Sequence, residues 1–557
     1  MRIIGLLLLY VFPQFLLAQD KYALINKADS FYQVKNYAMA AALSEEFLKA
    51  DSTCDGCTYK AACYQALTGN SQKAVLLLKK AFILGYGAKF LDQDNDLISL
   101  HTDPQWQMLV KMSRDSYEGI LTERLQIANE KRKKYMDWQS QWQENDRLSL
   151  KNIDTSIDAK VVYKKLKSLN TYHFIQNIHN YLFFYCRVND SIQMPYTVLL
   201  PESYHPDRSY PLLVVLHGAV GMVKIIPPYA DSFVVNGFHR HFTKYAKAHQ
   251  MIMVFPYGNR QYNWMYPDDG FKMAPSIITY LKQFLNIDDN RIYMTGHSNG
   301  ATGSFSYLMK EPNLFAAFSG MNTQPKVKTG GTFLPNAKNR SFYAIATDKD
   351  YYYPPVANDS LLQLAHRLGI NWTLDLQKGY PHWFPQFDAA DEPVKKMFDS
   401  LLSKKRDAFR KTLYWECDEV KYGRCDWLSI TALDTLQQQA AWHKQYNFRI
   451  NQWIDNENPD KIIDSTSLAF SYPRKSGAVR ASYKDNQFNL STSRVKSLDI
   501  YLSPEMIDFS KPVTVVVNGK KKFNKKIKYD KEFMLNSFAT YFDRKAIWVN
   551  RISIEIK

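Results

Sequence analysis

The chain has no Gly-x-x-x-x-Gly-Lys phosphate loop, no Gly-x-Gly-x-x-Gly dinucleotide fingerprint and no helical His-Glu-x-x-His pair. These absences argue against nucleotide-driven, dinucleotide-dependent and zincin-type chemistry, and no cofactor is implied. Long apolar runs are equally scarce. One run, Ile3 to Leu17, follows Met1-Arg2, and no later segment has a comparable one. A basic start, a short apolar core and small Ala18 before Gln19-Asp20 describe a signal peptide over residues 1–18. The run is short for a membrane span, and only Lys21 offers a basic flank on its far side. No cysteine follows it, which argues against a lipid anchor there. The expectation is an exported protein, periplasmic or secreted, with no membrane span and a mature start near Gln19.

Cysteine is sparse, with six in 557 residues. Export permits disulfides. Cys417 and Cys425 flank a glycine-containing turn and are the expected pair. Cys54-Asp55-Gly56-Cys57 has the form of a redox or metal pair, but no second ligand pair stands at zinc spacing, so no metal site is expected. The net charge is +17, and part of the excess is the cluster Lys520, Lys521, Lys522, Lys525, Lys526 and Lys528. Val517-Asn518-Gly519-Lys520 reads as a turn between strands, so this cluster is expected to be a solvated hairpin. No nucleic-acid motif accompanies the charge, and no nucleic-acid partner is expected.

Hydrophobic residues make up 46% and charged residues 22%, a globular balance. The length calls for several domains. Residues 19–170 read as helical and contain an offset of 34 residues: Ala28 to Ala62, Ala40 to Ala74, Phe47 to Ala81. Small residues at most of these points allow close helix packing. Two copies are few for a stable array, so Asp96-Leu97 through Trp106 and Leu109 is expected to cap them. A charged helix around Glu123 to Gln143 is expected next.

Residues 171–408 alternate apolar strand-like runs with helical stretches. The runs are Tyr210–Leu216, Met251–Phe255, Arg291–Thr295, Phe315–Phe318, Phe342–Ala346 and Trp372–Leu376. Strands apolar on both faces, separated by helices, predict an α/β fold with a parallel sheet covered on both sides. Residues 409–557 begin with mixed helix, Ala432 to His443. They then become strand-rich with alternating patterns, the mark of antiparallel strands in a β-rich, sandwich-like accessory domain.

The chemistry centres on Gly296-His297-Ser298-Asn299-Gly300, which follows one of these strands and precedes a helical stretch. A serine on so sharp a strand-to-helix turn is pushed out above the sheet. The flanking glycines remove Cβ atoms that the turn has no room for. A serine hydroxyl needs a base near neutral pH. In this context the chain order is serine, acid, histidine. His382 lies just past the last strand and is the candidate base, whereas His366 falls inside a helix and reads as structural. Asp348 and Asp350 both follow the preceding strand. Pro354 stands four residues after Asp350, which favours Asp350 as the acid. The oxyanion donors are the backbone N–H groups of Asn299, after the nucleophile, and Ala219, in the loop Leu216-His217-Gly218-Ala219. Trp264, Tyr266 and Tyr351 to Tyr353 either line a cleft near the strand ends or pack.

With these residues in place, the stretch from about Gln193 to Phe384 resembles the α/β-hydrolase superfamily. It is similar to secreted esterases of the polyhydroxybutyrate depolymerase and feruloyl esterase type, and also to the catalytic domain of prolyl-oligopeptidase-like peptidases. The residues that carry this are Met194–Pro201, Tyr210–Gly218 and Asn286–Gly300. Ala301 stands where many relatives have a second glycine. The 34-residue period resembles the tetratricopeptide repeat, which implies a protein partner on the helices. The resemblance implies an exported serine hydrolase that cleaves an ester, its substrate a plant or microbial polysaccharide-linked ester, through Ser298, Asp350 and His382. The same machinery acting on peptides is the alternative, and a non-catalytic partner- or glycan-binding protein with a decayed hydrolase domain is a third reading.

Overall fold

The computed structural model describes residues 24–88, 91–120, 156–169, 181–189, 192–220, 239–265, 268–455, 461–470 and 474–556, with positions 122, 123, 126 and 130. The segment read as a signal peptide and Tyr266 lie outside the described residues, as does most of the segment read as a charged helix. The chain divides into two compact units at Glu130.

In the first unit, helices over 24–33 and Tyr37–Ala50 are followed by helices Asp55–Leu67 and Ser71–Ile83. The six residues that define the 34-residue offset are fully buried in its core. Small side chains at five of the six positions let the helix backbones approach closely. Leu97, Leu100, Trp106 and Leu109 fill the same core from the following turns and helix. Turns between the helices are closed by side chains: Asn36 Oδ1 accepts from Met39 N–H at 3.3 Å. Cys54 opens the third helix and is disulfide-bonded to Cys57.

This corrects the expected pairing, because Cys417 and Cys425 are buried free thiols. The turn between them does bring the chain around, but it passes the two cysteines to different sheets. Cys417 ends strand Thr412–Cys417 of a five-stranded sheet, and Cys425 lies in a four-stranded one.

In the second unit an eight-stranded sheet comprises β1 (Tyr181–Asn189), β2 (Ile192–Leu199), β3 (Tyr210–Leu216), β4 (Ile252–Pro256), β5 (Ile287–Gly296), β6 (Ala317–Met321), β7 (Ser341–Lys349) and β8 (Trp372–Pro381). Its order is β1-β2-β4-β3-β5-β6-β7-β8. The six strands expected from the apolar runs are parallel to one another, and β1 and β2 add an antiparallel edge. Every residue of β3 and β4 is buried, as strands covered on both faces require. Helices Met273–Leu281, Asn299–Lys310 and Pro355–Arg367 bury apolar residues in one core, and Arg240–Ala248 and Asp391–Leu402 bury theirs in a second. The described part of the protein is thus an α/β-hydrolase fold with an N-terminal helical region and a C-terminal β-rich region.

After residue 411 the chain forms the four- and five-stranded sheets and a separate hairpin, Arg449–Ile454 with Ile462–Leu468. The expected helix from Ala432 to His443 is absent: Leu428–Leu433 is a strand, and the residues after it are irregular. His443 Nε2 lies 2.9 Å from Glu416 Oε1 and its Nδ1 3.0 Å from Ser493 Oγ, so side-chain bonds hold this segment instead of a helical ladder. Most strand pairs are antiparallel as expected, but Gln487–Ser493 and Val513–Val517 run parallel. The lysine cluster is exposed on and beyond an edge strand, Lys520–Lys525, after the Asn518-Gly519 turn.

Among the described residues, the C-terminal sheets share an apolar core with the hydrolase fold. Trp415, Trp427, Ile500 and Val515 belong to the same continuous apolar cluster as Phe305, Phe315, Phe318 and Phe342 of the hydrolase fold. Buried ion pairs cross the same junction. Arg340 holds Asp426 through two nitrogens at 2.5 and 3.1 Å, and Arg406 meets Asp543 at 2.6 Å.

Candidate active site

Ser298 stands between β5 and the helix Asn299–Lys310, with φ of 57° and ψ of −120°. This is the strained left-handed region that an L residue enters only when its surroundings force it. The force is visible on both sides. A Cβ at Gly300 would come within 1.9 Å of the Leu216 carbonyl oxygen, and one at Gly296 within 2.5 Å of the same atom. The serine N–H is anchored to the Met321 carbonyl at 3.0 Å. The result is a partly exposed hydroxyl at a helix N-terminus, where the N–H groups and the helix dipole favour negative charge. Asn299 is the first residue of that helix, so its N–H has no intrahelical acceptor.

The opposite wall is the loop after β3. Gly218 lies against the Ser298 turn, since a Cβ there would meet Ser298 Cβ at 3.1 Å. Ala219 follows with φ of 55°. His217 fixes this loop. Its Nε2 accepts from Gly258 N–H at 2.9 Å, so Nδ1 carries the proton and donates to the Gly218 carbonyl at 2.7 Å. Burial pushes the His217 pKa down to about 4, which keeps the ring neutral in this role.

His382 and Asp350 meet from the loops after β8 and β7. Both are buried, and His382 Nδ1 lies 2.9 Å from Asp350 Oδ2. The other carboxylate oxygen, Oδ1, accepts from the N–H groups of Tyr352 and Tyr353 at 3.0 and 3.1 Å. Asp350 is therefore held by its own turn and aimed at the imidazole. Asp348 takes a different place: it is half-buried and accepts from Gly379 N–H at 2.6 Å, tying the ends of β7 and β8 together.

Three further residues complete the frame. Asn322 donates through Nδ2 to Thr347 Oγ1 at 2.8 Å and to the His382 carbonyl at 3.0 Å. His297 Nε2 donates to the same carbonyl at 2.8 Å, and burial lowers its pKa to about 3. Tyr353 brings its hydroxyl to 3.3 Å from Asn299 Nδ2. Spacing along the chain gave no warning of Asn322 or of the tasks of His217 and His297, because each acts through a backbone carbonyl or N–H far away in sequence.

The aromatic residues divide. Trp264 is fully buried and packs edge-on against His217 at 4.9 Å, so it is a wall of the core and not of a cleft. Tyr352 and Trp383 are exposed at 48% and 40%, 5.9 Å apart, and both flank His382, at 4.7 and 5.0 Å. They form a rim around the imidazole. His366 Nε2 donates to the Trp372 carbonyl at 2.9 Å, as a structural residue does.

Residues 191–351 match the model of the family named Esterase. The matched stretch includes Ala219, Ser298, Asn299 and Asp350, and His382 lies beyond its end. No curated protein matches the chain. Among solved structures, the chain is similar to a thermostable esterase at 21% identity and a TM-score of 0.32, covering 41% of this chain and 64% of that one. A ferulic acid esterase aligns at 17% identity and a TM-score of 0.31, covering 39% of this chain and 98% of that one. Est1E from Butyrivibrio proteoclasticus aligns at 15% identity and a TM-score of 0.30, covering 40% and 99%. The sheet order gives the central region an α/β-hydrolase fold, and residues 191–351 within it match the Esterase model.

Proposed function

We propose that the chain is an exported carboxylesterase that works through an acyl-enzyme on Ser298. The observation that carries this reading is the buried 2.9 Å pair of Asp350 and His382, on a turn whose Tyr353 hydroxyl reaches Asn299, the residue after a strained serine at a helix N-terminus. Asp350 fixes the Nδ1–H tautomer and stabilises the imidazolium. His382 Nε2 takes the Ser298 proton as Oγ bonds to the acyl carbon. The N–H groups of Asn299 and Ala219 hold the oxyanion, a pair in which each donor is worth about 10²–10³ in rate. His382 then gives its proton to the departing alcohol, and water, activated by the same imidazole, releases the acid. Among the described residues no helix is long and apolar enough to cross a membrane. Export rests on the Met1–Ala18 reading, and an N-terminus at Gln19 in protein recovered outside the cytoplasm tests it.

The Esterase match supports an oxygen ester over a peptide bond. Because the base also protonates the leaving group, the exposed Tyr352–Trp383 rim stands on the alcohol side of the bond. The decisive experiment is labelling of the full chain with a fluorophosphonate probe beside Ser298→Ala, followed by ester and peptide panels. Labelling of the wild type alone and turnover of esters support the proposal. Folded wild-type protein that does not label sinks it, and turnover of peptides but not esters sinks the ester assignment.

A further inference from the structure

The six cysteines divide into two chemical kinds. Cys63, Cys186, Cys417 and Cys425 are buried thiols, and burial pushes each above its ordinary pKa, Cys186 to about 12. A thiol kept protonated and away from solvent is inert. Cys54 and Cys57 are both partly exposed and are bonded to each other. They stand at the start of helix Asp55–Leu67, with Cys54 as its N-cap. Cys54 Sγ accepts from Cys57 N–H at 3.2 Å. When the bond between the sulfurs is open, this donor and the helix dipole favour a thiolate at Cys54. Of the carboxylates beside it in sequence, Asp51 is taken up by Thr53 N–H and Oγ1 at 3.1 and 2.7 Å, and Asp55 begins the helix.

The turn does not depend on the disulfide. The Cys54 carbonyl accepts from Thr58 N–H at 3.0 Å and from Thr58 Oγ1 at 2.7 Å, and Thr58 is fully buried. These bonds hold the N-cap whether the sulfurs are joined or apart. A disulfide with a sequence separation of 3 also takes little freedom from the unfolded chain, because that gain grows with the length of the closed loop. Access is open as well: among the described residues, a Cβ at Gly56, between the two cysteines, would meet nothing within 4 Å.

We propose that Cys54 and Cys57 are a thiol–disulfide exchange site, with Cys54 as the attacking sulfur and a disulfide of a second molecule as the substrate. In the reduced pair, the Cys54 thiolate attacks one substrate sulfur. A bond forms between them, the substrate S–S bond breaks, and its electron pair leaves on the other substrate sulfur, which takes up a proton. Cys57 then gives up its proton and attacks Cys54 Sγ. The observed disulfide forms, and the second substrate sulfur leaves as a thiol. Two cysteine thiols are oxidised, one substrate disulfide is reduced to two thiols, and the two cysteine protons end on those thiols. Run backwards, the same steps reduce the pair with two thiols.

The test equilibrates the full-length protein with about 10 mM glutathione and about 1 mM glutathione disulfide, then alkylates it and maps the cysteines by mass spectrometry. Structural disulfides of secreted proteins resist reduction by such a mixture. The expected result is at least half of the Cys54–Cys57 pair reduced, with the far-UV helix signal unchanged. A pair that stays more than half oxidised, or that opens only as the helix signal is lost, overturns the inference. Two variants assign the attacking sulfur. Cys57→Ser is expected to join glutathione from its disulfide about tenfold faster than Cys54→Ser does. Equal rates overturn the role of Cys54. If either variant does not fold, reduced wild-type protein is mixed with glutathione disulfide and quenched in acid: glutathione on Cys54 supports the assignment, and glutathione on Cys57 overturns it. No readout passes through Ser298, so failure here and failure of ester cleavage are separate results.

Discussion

Asp350 Oδ2 and His382 Nδ1 are 2.9 Å apart with both side chains 2% exposed, whereas Asp348, two residues earlier, reaches only the Gly379 backbone. Asp348 still lies in β7, which ends at Lys349, whereas Asp350 lies in the turn beyond it, where its Oδ1 accepts from the Tyr352 and Tyr353 N–H groups and its Oδ2 faces the imidazole.

Asp350→Asn is therefore expected to lower kcat by about 10⁴, because an amide at this position no longer fixes the tautomer or stabilises imidazolium. Asp348→Asn is expected to leave kcat within about threefold, since its bond orders a loop and not the base. Steady-state kinetics on an ester for both variants check this pair, and equal losses contradict it.

Asn322→Ala removes the amide that joins Thr347 to the His382 carbonyl. The loop carrying His382 loses one of its two carbonyl anchors. A decrease in kcat of about tenfold is expected, with a destabilisation of about 1–2 kcal/mol from the lost buried bonds. Thermal melts and kinetics of the one variant separate the two effects.

Gly300→Ala adds a Cβ that meets the Leu216 carbonyl oxygen at 1.9 Å, and Leu216 is fully buried in the central strand. Neither backbone can retreat without displacing the core. The expected cost is about 3 kcal/mol or more, read as a large drop in Tm or as insoluble protein.

Acid stability follows from three buried histidines. Burial lowers His217 to about 4 and His239 and His297 to about 3. The unfolded chain takes up these protons near pH 6.5, and the fold does not until pH 4 or 3. Stability is thus complete above pH 6.5 and declines as the pH falls through the window from 6.5 to 3. Each residue contributes on the order of 3 kcal/mol at neutral pH. Glu311, raised to about 7 by burial, acts in the opposite sense between pH 4.5 and 7, as do the carboxyls of Asp96, Asp289 and Asp418, which burial also raises, while burial lowers His241 in the same sense as the three histidines. Melting temperatures measured from pH 8 to pH 4 should fall steadily; a rise towards pH 5 contradicts the assignment.

Arg340→Ala leaves Asp426 buried without its two-nitrogen partner. Loss of one member of such a pair costs about 3–5 kcal/mol. Chemical denaturation of the full chain measures it, and a change below 1 kcal/mol argues against the pair's burial in solution.

The strained turn at Ser298 was legible because its signal is local: apolar strand, glycines at two-residue flanks, then helix. The meeting of Asp350 with His382 was legible because chain order and strand ends restrict the choice. What escaped notice works by long-range contact. Asn322 and His297 converge on one carbonyl from different loops, and no short-range pattern encodes that. Cys417 and Cys425 were misjudged for a related reason. Eight residues of separation suggest proximity, but strands on either side of a turn can join different sheets. Ala432 to His443 carries helix-forming alanines and glutamines, and tertiary bonds from His443 to Glu416 and Ser493 outweigh that preference. Trp264 sits near strand ends in sequence, yet Gly303 makes room for its indole inside the core, since a Cβ there would meet it at 2.2 Å.

The common apolar cluster beneath the hydrolase sheet and the two C-terminal sheets has a practical reading. A gene fragment that stops near residue 408 would keep Ser298, Asp350 and His382 yet expose the apolar surface that Trp415, Trp427 and Ile500 now cover.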